Sequence, residues 1–407
     1  MTARTPARPS ADDISFAKLI GTSISVKLLV DTGMQIFNPF LEIITLGLGT
    51  NIVVMGALLG LRSAMGLFAP IFGAVADRRG YRPVMQLSLL LGAAGLIVVG
   101  LSRNVWMAAP GMILMGLGFT SFVPNMHAYL SARLPYAIRA RGLGMIEYSW
   151  ALTGIVGLFV VGQVIAVAGW RVPFLLLGGG LALGAVVMGR LPSSGHTGMV
   201  RPAEQAPRLP FTQRAVAFFD LGEHAGSTYA TIVAAAFNFF AAMQMMVIYG
   251  VWLGDQYGLG AAQLGTVALV FGLFDLAASV SVSLFTDRIG KRRSVLAGVA
   301  AATVGYILMP SFNVGLFAAV AAIAVTRSCF EFSIVSNFPL LSEQAPAQRG
   351  KVMTLSVAVS MLGATSASFA APWLYANVGI AAVTTASAVA AAVSTLLLIF
   401  FVREHAA

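Results

Sequence analysis

Long apolar runs alternate with short polar connections along most of the chain. The runs lie near 20–44, 51–75, 83–102, 107–130, 143–167 and 172–190, then near 230–253, 263–286, 294–313, 316–340, 351–376 and 380–402. Each approaches the roughly 20 residues a helix needs to cross the hydrocarbon core of a bilayer. They are too long and too continuously apolar for barrel strands, which alternate over about ten residues. A helix also satisfies its backbone hydrogen bonds within itself, as lipid demands. The pattern predicts an all-α integral membrane protein of twelve transmembrane helices. Closely spaced glycines (Gly56 and Gly60; Gly154, Gly157 and Gly162; Gly180 and Gly184) read as places where helix backbones approach one another.

One stretch interrupts the pattern. Residues 191–229 hold Pro192, Pro202, Pro207, Pro210 and several charges, with Phe211, Phe218, Phe219 and Leu221 spaced to lay a short helix on a membrane surface. The reading is an N-terminal six-helix bundle over 1–190, a cytoplasmic central loop over 191–229 and a C-terminal six-helix bundle over 230–407. The two bundles repeat in sequence. Asp77-Arg78-Arg79-Gly80-Tyr81-Arg82 follows the second run and Asp287-Arg288-Ile289-Gly290-Lys291-Arg292 follows the eighth, 210 positions on (77 to 287). Arg141-Gly142 and Arg349-Gly350 echo at an offset of 208 (141 to 349). Two echoes at nearly one offset point to tandem duplication of a six-helix unit, an arrangement common among secondary transporters.

Composition agrees with a bilayer setting. Hydrophobic residues make up 58% and charged residues 10%, against about 25% charged in soluble proteins. The net charge of +10 is distributed by side. Arg78, Arg79 and Arg82, Arg133, Arg139 and Arg141, Arg190 to Arg214, Arg288 to Arg293, and Arg349 and Lys351 fall in alternate connections, whereas the opposite connections carry Arg103 and Arg171. That bias places the basic connections and both termini in the cytoplasm. The expected location is therefore a multi-pass inner (plasma) membrane, with no removable signal peptide. The single cysteine, Cys329, rules out an intrachain disulfide and reads as a packing residue.

The Asp-Arg-x-Gly-x-Arg connection resembles the signature loop of the major facilitator superfamily, with a weaker copy in the second half. Arg141-Gly142 before the fifth run and Gly169-Trp170-Arg171-x-Pro173-Phe174 after it are also similar to that family. The resemblance implies a twelve-helix transporter in which the loop contacts hold an outward-open state and break as the halves rock. That gating role would pass to Gly73, Asp77, Arg78, Gly80 and Arg82, and in the second half to Asp287, Arg288 and Gly290. The chain also departs from the proton-driven drug exporters of the family. Where they carry Gly-Pro-x-x-Gly-Gly in the fifth span, this chain has Gly157-Leu158 and Val161-Gly162. Met112 stands where they often carry an Arg, and Tyr81 replaces a residue usually basic.

Charges inside the runs are the candidate chemistry. Lys27, Asp31, Arg62, Glu147, Asp275, Arg327 and Glu331 all fall within predicted spans. Facing lipid together they would cost on the order of 20 kcal/mol, more than a typical total stability, so they must face a cavity or one another. Lys27, Asp31, Gln35, Asn38 and Glu42 are spaced to share one helix face. Asp31 reads either as a proton or substrate-cation site or as a structural partner of Lys27. Arg327 and Glu331 repeat the four-residue spacing, and either bind a charged substrate group or neutralise each other. By the resemblance, spans one, four, seven and ten line the central cavity, while Arg62 and Asp275 fall at the interface between halves. Glu147 lies near Arg141 and reads as a cytoplasmic-side pair. Asn125, His127, Asn238, Gln244 and Asn337 are weaker candidates, since a lone polar residue in a span more often bonds a neighbouring helix.

Enzyme signatures do not occur. No lysine precedes Ser or Thr, which excludes a phosphate-binding loop of the Gly-x-x-x-x-Gly-Lys-Ser/Thr type. No cofactor, metal or nucleic-acid partner is expected; the expected partners are the lipid bilayer, a small-molecule substrate and protons, and the chain is expected to act as a monomer. Phe37, Phe40, Phe119, Phe122, Phe237, Phe239, Phe240 and Phe330 on the cavity helices suggest an amphipathic organic solute. The sequence therefore favours proton-coupled export by alternating access, followed by uptake symport or facilitation of a metabolite. A non-transporting membrane receptor stands as the alternative of another class.

Overall fold

The computed structural model describes residues 15–192, 221, 224–344 and 349–404, excepting the side chains of 136, 137, 140, 287, 349 and 350. Most of the 191–229 connection, with its expected surface helix, lies outside the described residues. The described chain is helical throughout. The helices are α1 (16–47), α2 (Ile52–Arg79), α3 (Tyr81–Leu101), α4 (Val105–Arg133), α5 (Arg141–Ala168), α6 (Arg171–Gly189), α7 (Ala225–Tyr257), α8 (Ala261–Ile289), α9 (Lys291–Phe312), α10 (Leu316–Gln344), α11 (Arg349–Val378) and α12 (Ile380–Phe400). α7 begins at Ala225, ahead of the expected 230.

Eleven of these are long and apolar enough to cross a membrane; α1 is the exception. It is two segments, Phe16–Gln35 and Phe37–Gly47, and the first carries Lys18, Lys27 and Asp31. Pro39 explains the break. It has no N–H to give the Gln35 carbonyl four residues back, and its ring crowds that carbonyl. Phe40 is correspondingly non-helical (φ −110°, ψ 16°).

The duplication is written in the turns. Gly80 and Gly290 end α2 and α8 at φ 90° and 96°, a region closed to most side chains, and let the chain reverse at once into α3 and α9. All six positive-φ glycines pair this way, from 49 to 258, 80 to 290 and 169 to 379, at offsets of 209 or 210. No other described residue has positive φ.

The halves, α1–α6 and α7–α12, meet through glycines at the end of the bundle far from the basic connections. A Cβ on Gly154 of α5 would stand 2.6 Å from the Ala268 carbonyl oxygen and 2.8 Å from Gly272 Cα on α8. One on Gly162 would lie 2.8 Å from Gly265 Cα, and one on Gly56 of α2 would lie 2.7 Å from the Ser368 carbonyl of α11. Gly250 of α7 takes the Asn38 and Pro39 carbonyls of α1 against its backbone. Gln163 Nε2 donates across the same seam to the Ala262 carbonyl (3.3 Å). Toward the basic end, hydrogen bonds stay within a half: Arg82 to the Leu191 carbonyl (2.9 Å), and Arg292 to the Leu398 and Ile399 carbonyls (3.0 and 2.8 Å). The bundle is closed at its far end and splayed at its basic end.

Gly154→Leu is expected to push α5 off α8, since overpacking of this kind typically costs about 1–3 kcal/mol. Size-exclusion chromatography in detergent should show a lower monodisperse fraction and an earlier melting midpoint. A wild-type profile would mean the two backbones do not touch there.

Candidate functional site

The first half buries a connected set of charges. Lys27 Nζ lies 2.9 Å from Asp31 Oδ2 one turn along α1, 2.9 Å from Ser149 Oγ and 3.4 Å from Glu147 Oε2, both on α5. Ser149 Oγ also donates to Asp31 Oδ2 at 2.6 Å. Glu147 Oε1 then meets His127 Nε2 of α4 at 2.8 Å. The side chains of Lys27 and Asp31 are 3% and 2% exposed, whereas His127 and Glu147 are 37% and 52% exposed. Five groups from three helices thus step from the core to the splayed end. The helix itself is adapted here: α5 widens into π geometry over Thr153–Leu158, and Thr153 Oγ1 occupies the Ser149 carbonyl (2.8 Å). Such widened turns occur often at functional sites.

Glu147 was expected beside Arg141; the fold turns it instead toward Lys27 and His127, and Arg141 is exposed. In the second half, Arg327 and Glu331 do not pair with each other. Arg327 makes a two-pronged bridge to Asp275 on α8, Nε at 3.0 and 2.9 Å and Nη2 at 2.8 Å. A guanidinium fork fits a carboxylate approaching from a facing helix better than one on its own helix. Asp275 therefore bridges within its half and not across the interface. Glu331 accepts from Ser279 Oγ (3.2 Å) and has no basic partner of its own among the described residues. Of the seven charges singled out in the spans, four are acids and three are bases, and Glu331 is the surplus acid.

Arg62 pairs with no acid among the described residues. Its guanidinium carbon stands 5.1 Å from the Phe37 ring centroid, its Nη1 is buried without a hydrogen-bond partner, and its carbonyl abuts Gly116 of α4. Gln35 Nε2 and both amide atoms of Gln244 are likewise buried and unpartnered. Asn38 contributes its backbone to the seam with α7. Glu42, last on the α1 face, comes within hydrogen-bonding reach of Asp255 of α7, which Tyr375 Oη also approaches at 2.8 Å. Asn125 and Asn238 are satisfied by the Ser121 carbonyl (2.7 Å) and Ser333 Oγ (2.9 Å).

The loop residues sit at the splayed end. Asp77, Arg78 and Arg288 are exposed, Gly73 has open space around it, and Asp77 accepts from Tyr81 Oη of its own segment (3.1 Å). Arg82 ties α3 to the end of α6. The Asp287 side chain lies outside the described set. The serines Ser149 and Ser279 were missed by sequence reasoning; a single hydroxyl in an apolar helix gives no periodic signal.

Two inverted-looking but tandem six-helix halves, closed at one end around buried charge networks, define a solute-transporter architecture. A family model described as Major Facilitator Superfamily matches residues 24–260 and 231–407, and the chain belongs to that family. It is 23% identical over 384 residues to "Uncharacterized MFS-type transporter YwfA" of Bacillus subtilis, covering 91% of this chain and 88% of the relative. It is 30% identical over 269 residues to "Tetracycline resistance protein, class C" of Escherichia coli, covering 62% and 63%. Its fold superposes on the crystal structure of a D-xylose-proton symporter with a TM-score of 0.80 at 17% identity, covering 96% of this chain and 99% of that one.

Proposed function

We propose that the protein is a proton-coupled exporter of a small, amphipathic organic solute, working by alternating access with the basic end in the cytoplasm. The observation that supports this best is the chain from buried Asp31 through Lys27, Ser149 and Glu147 to half-exposed His127. A carboxylate withdrawn from water and joined by hydrogen bonds to a titratable group at the open end is placed to take up or release a proton. Ionisable groups at membrane depth are retained for such work, because burying them is costly. Export is favoured over uptake by 30% identity over 167 residues to a "Multi-drug resistance efflux pump PmrA" of Streptococcus pneumoniae, and on this reading the 1–190 and 230–407 halves are the two bodies that rock.

The decisive measurement is flux in proteoliposomes. With a pH gradient imposed, the reconstituted protein should accumulate an amphipathic probe such as tetracycline or ethidium against its concentration gradient, with a counter-movement of protons read by an entrapped dye. Probe movement without proton movement would remove the coupling, and movement of neither under any gradient would favour a receptor.

The gating loop carries its own test. Asp77 is exposed and bonded within its own segment in this basic-end-open arrangement, so its partners across the halves belong to the opposite state. Asp77→Asn is expected to reach the membrane at normal levels and to transport at least about tenfold more slowly, the loss of one charge-assisted contact of about 1.4 kcal/mol or more. Wild-type flux from this variant would remove Asp77 from gating.

A further inference from the structure

Resting on that transport reading, the geometry points to Arg62 as the anchor for a carboxylate on the solute, so that the substrate is an organic monoanion. Of the three basic residues at membrane depth, two are already neutralised. Lys27 holds Asp31 at 2.9 Å and Arg327 holds Asp275 at 2.8 Å. Arg62 alone of the three has no acid within reach among the described residues, and its Nη1 is buried with nothing to donate to. Contact with the Phe37 ring at 5.1 Å satisfies the face of the guanidinium and leaves its N–H edge open. A guanidinium at membrane depth with a buried, unpartnered N–H is costly to keep, and the partner that relieves it is an anion arriving from outside the protein.

The surroundings narrow the ligand. Arg62 lies where α1 and α4 pack on α2: Phe37 follows the α1 break, and the Arg62 carbonyl abuts Gly116 of α4. Gln35 closes the first segment of α1, directly before that break, and its Nε2 is buried without a partner. One uncompensated cation matches one negative charge, which suits a carboxylate better than a doubly charged phosphate. The planar fork matches the two oxygens of a carboxylate. The Phe37 ring against the guanidinium makes the neighbouring surface apolar.

The test is thermal stabilisation of the purified full-length protein by matched probes: benzoate, phenylacetate, salicylate and octanoate, against benzylamine and benzyl alcohol. Carboxylates should raise the melting midpoint of wild type, and the amine and alcohol should not. Arg62→Gln should melt unshifted or higher without ligand and lose carboxylate affinity by about ten- to a hundredfold, the range for a hydrogen bond to a charged group. Arg62→Lys, which keeps the charge and loses the fork, should fall between. The inference is overturned if no carboxylate stabilises wild type, if benzylamine stabilises it equally, or if Arg62→Gln responds as wild type does. An Arg62→Gln protein that melts far below wild type also overturns it, because the guanidinium would then be structural. None of these results bears on whether flux is proton-driven, which the dye measurement decides separately.

Discussion

Asp31→Asn is expected to leave solute binding and equal-pH exchange intact while abolishing accumulation driven by a pH gradient. The amide keeps the volume of the carboxyl and can still meet Ser149, but it cannot gain or lose a proton. Lys27, now facing an amide at the position 2.9 Å away, keeps Glu147 at 3.4 Å as its remaining acid. The protein should therefore fold, and the loss should be specific to coupling. In proteoliposomes the steady-state accumulation ratio should fall to the equilibrium value, whereas counterflow between compartments at one pH should persist. If gradient-driven accumulation is unchanged, the coupling proton is carried elsewhere, and Glu331, the acid without a basic partner, is the next group to neutralise.

The second large effect concerns folding. Asp275→Ala should strand Arg327 inside the second half, where its side chain is 12% exposed, and breaking a buried pair in this way costs about 3–5 kcal/mol. Against a typical total stability of about 5–15 kcal/mol, much of the protein should be lost from the membrane fraction. The double change Asp275→Asn with Arg327→Gln removes both charges and should recover most of the expression. A double change that expresses no better than Asp275→Ala would show that the charges do more than neutralise each other. The same logic excludes an Arg327–Glu331 exchange as the informative swap, because those two side chains do not form a pair.

The fold was legible for reasons that hold in any bilayer. Length and continuity of apolar runs decide helix against strand, and the side bias of Arg and Lys decides order. α1 escaped the apolar criterion because its charges and Pro39 both act against a uniform span. The Lys27–Asp31 contact could be read from one helix alone, since residues four apart share a face. Partners on other helices could not. Arg327 chose Asp275 over the equally spaced Glu331, and Glu147 chose His127 and Lys27 over Arg141, because those choices depend on which helices pack and how they are rotated. Local spacing proposes a pair, and tertiary packing disposes of it.

The glycine seam between the halves has a mechanical consequence. Where Gly154 faces Gly272 and Gly162 faces Gly265, main chain rests on main chain with no side chain interlocked between them. Along α5 and α8 two such surfaces can tilt over each other as a bearing, whereas between α2 and α11 the Phe369 ring and Pro372 are seated in the notches of Gly60 and Gly56. At the far end Glu42 of α1 and Asp255 of α7 meet across the two halves. Even alanine at Gly154 or Gly162 would set its Cβ 2.6 Å from a backbone carbonyl of α8, so the two helices must move apart and slower turnover should come with lower stability.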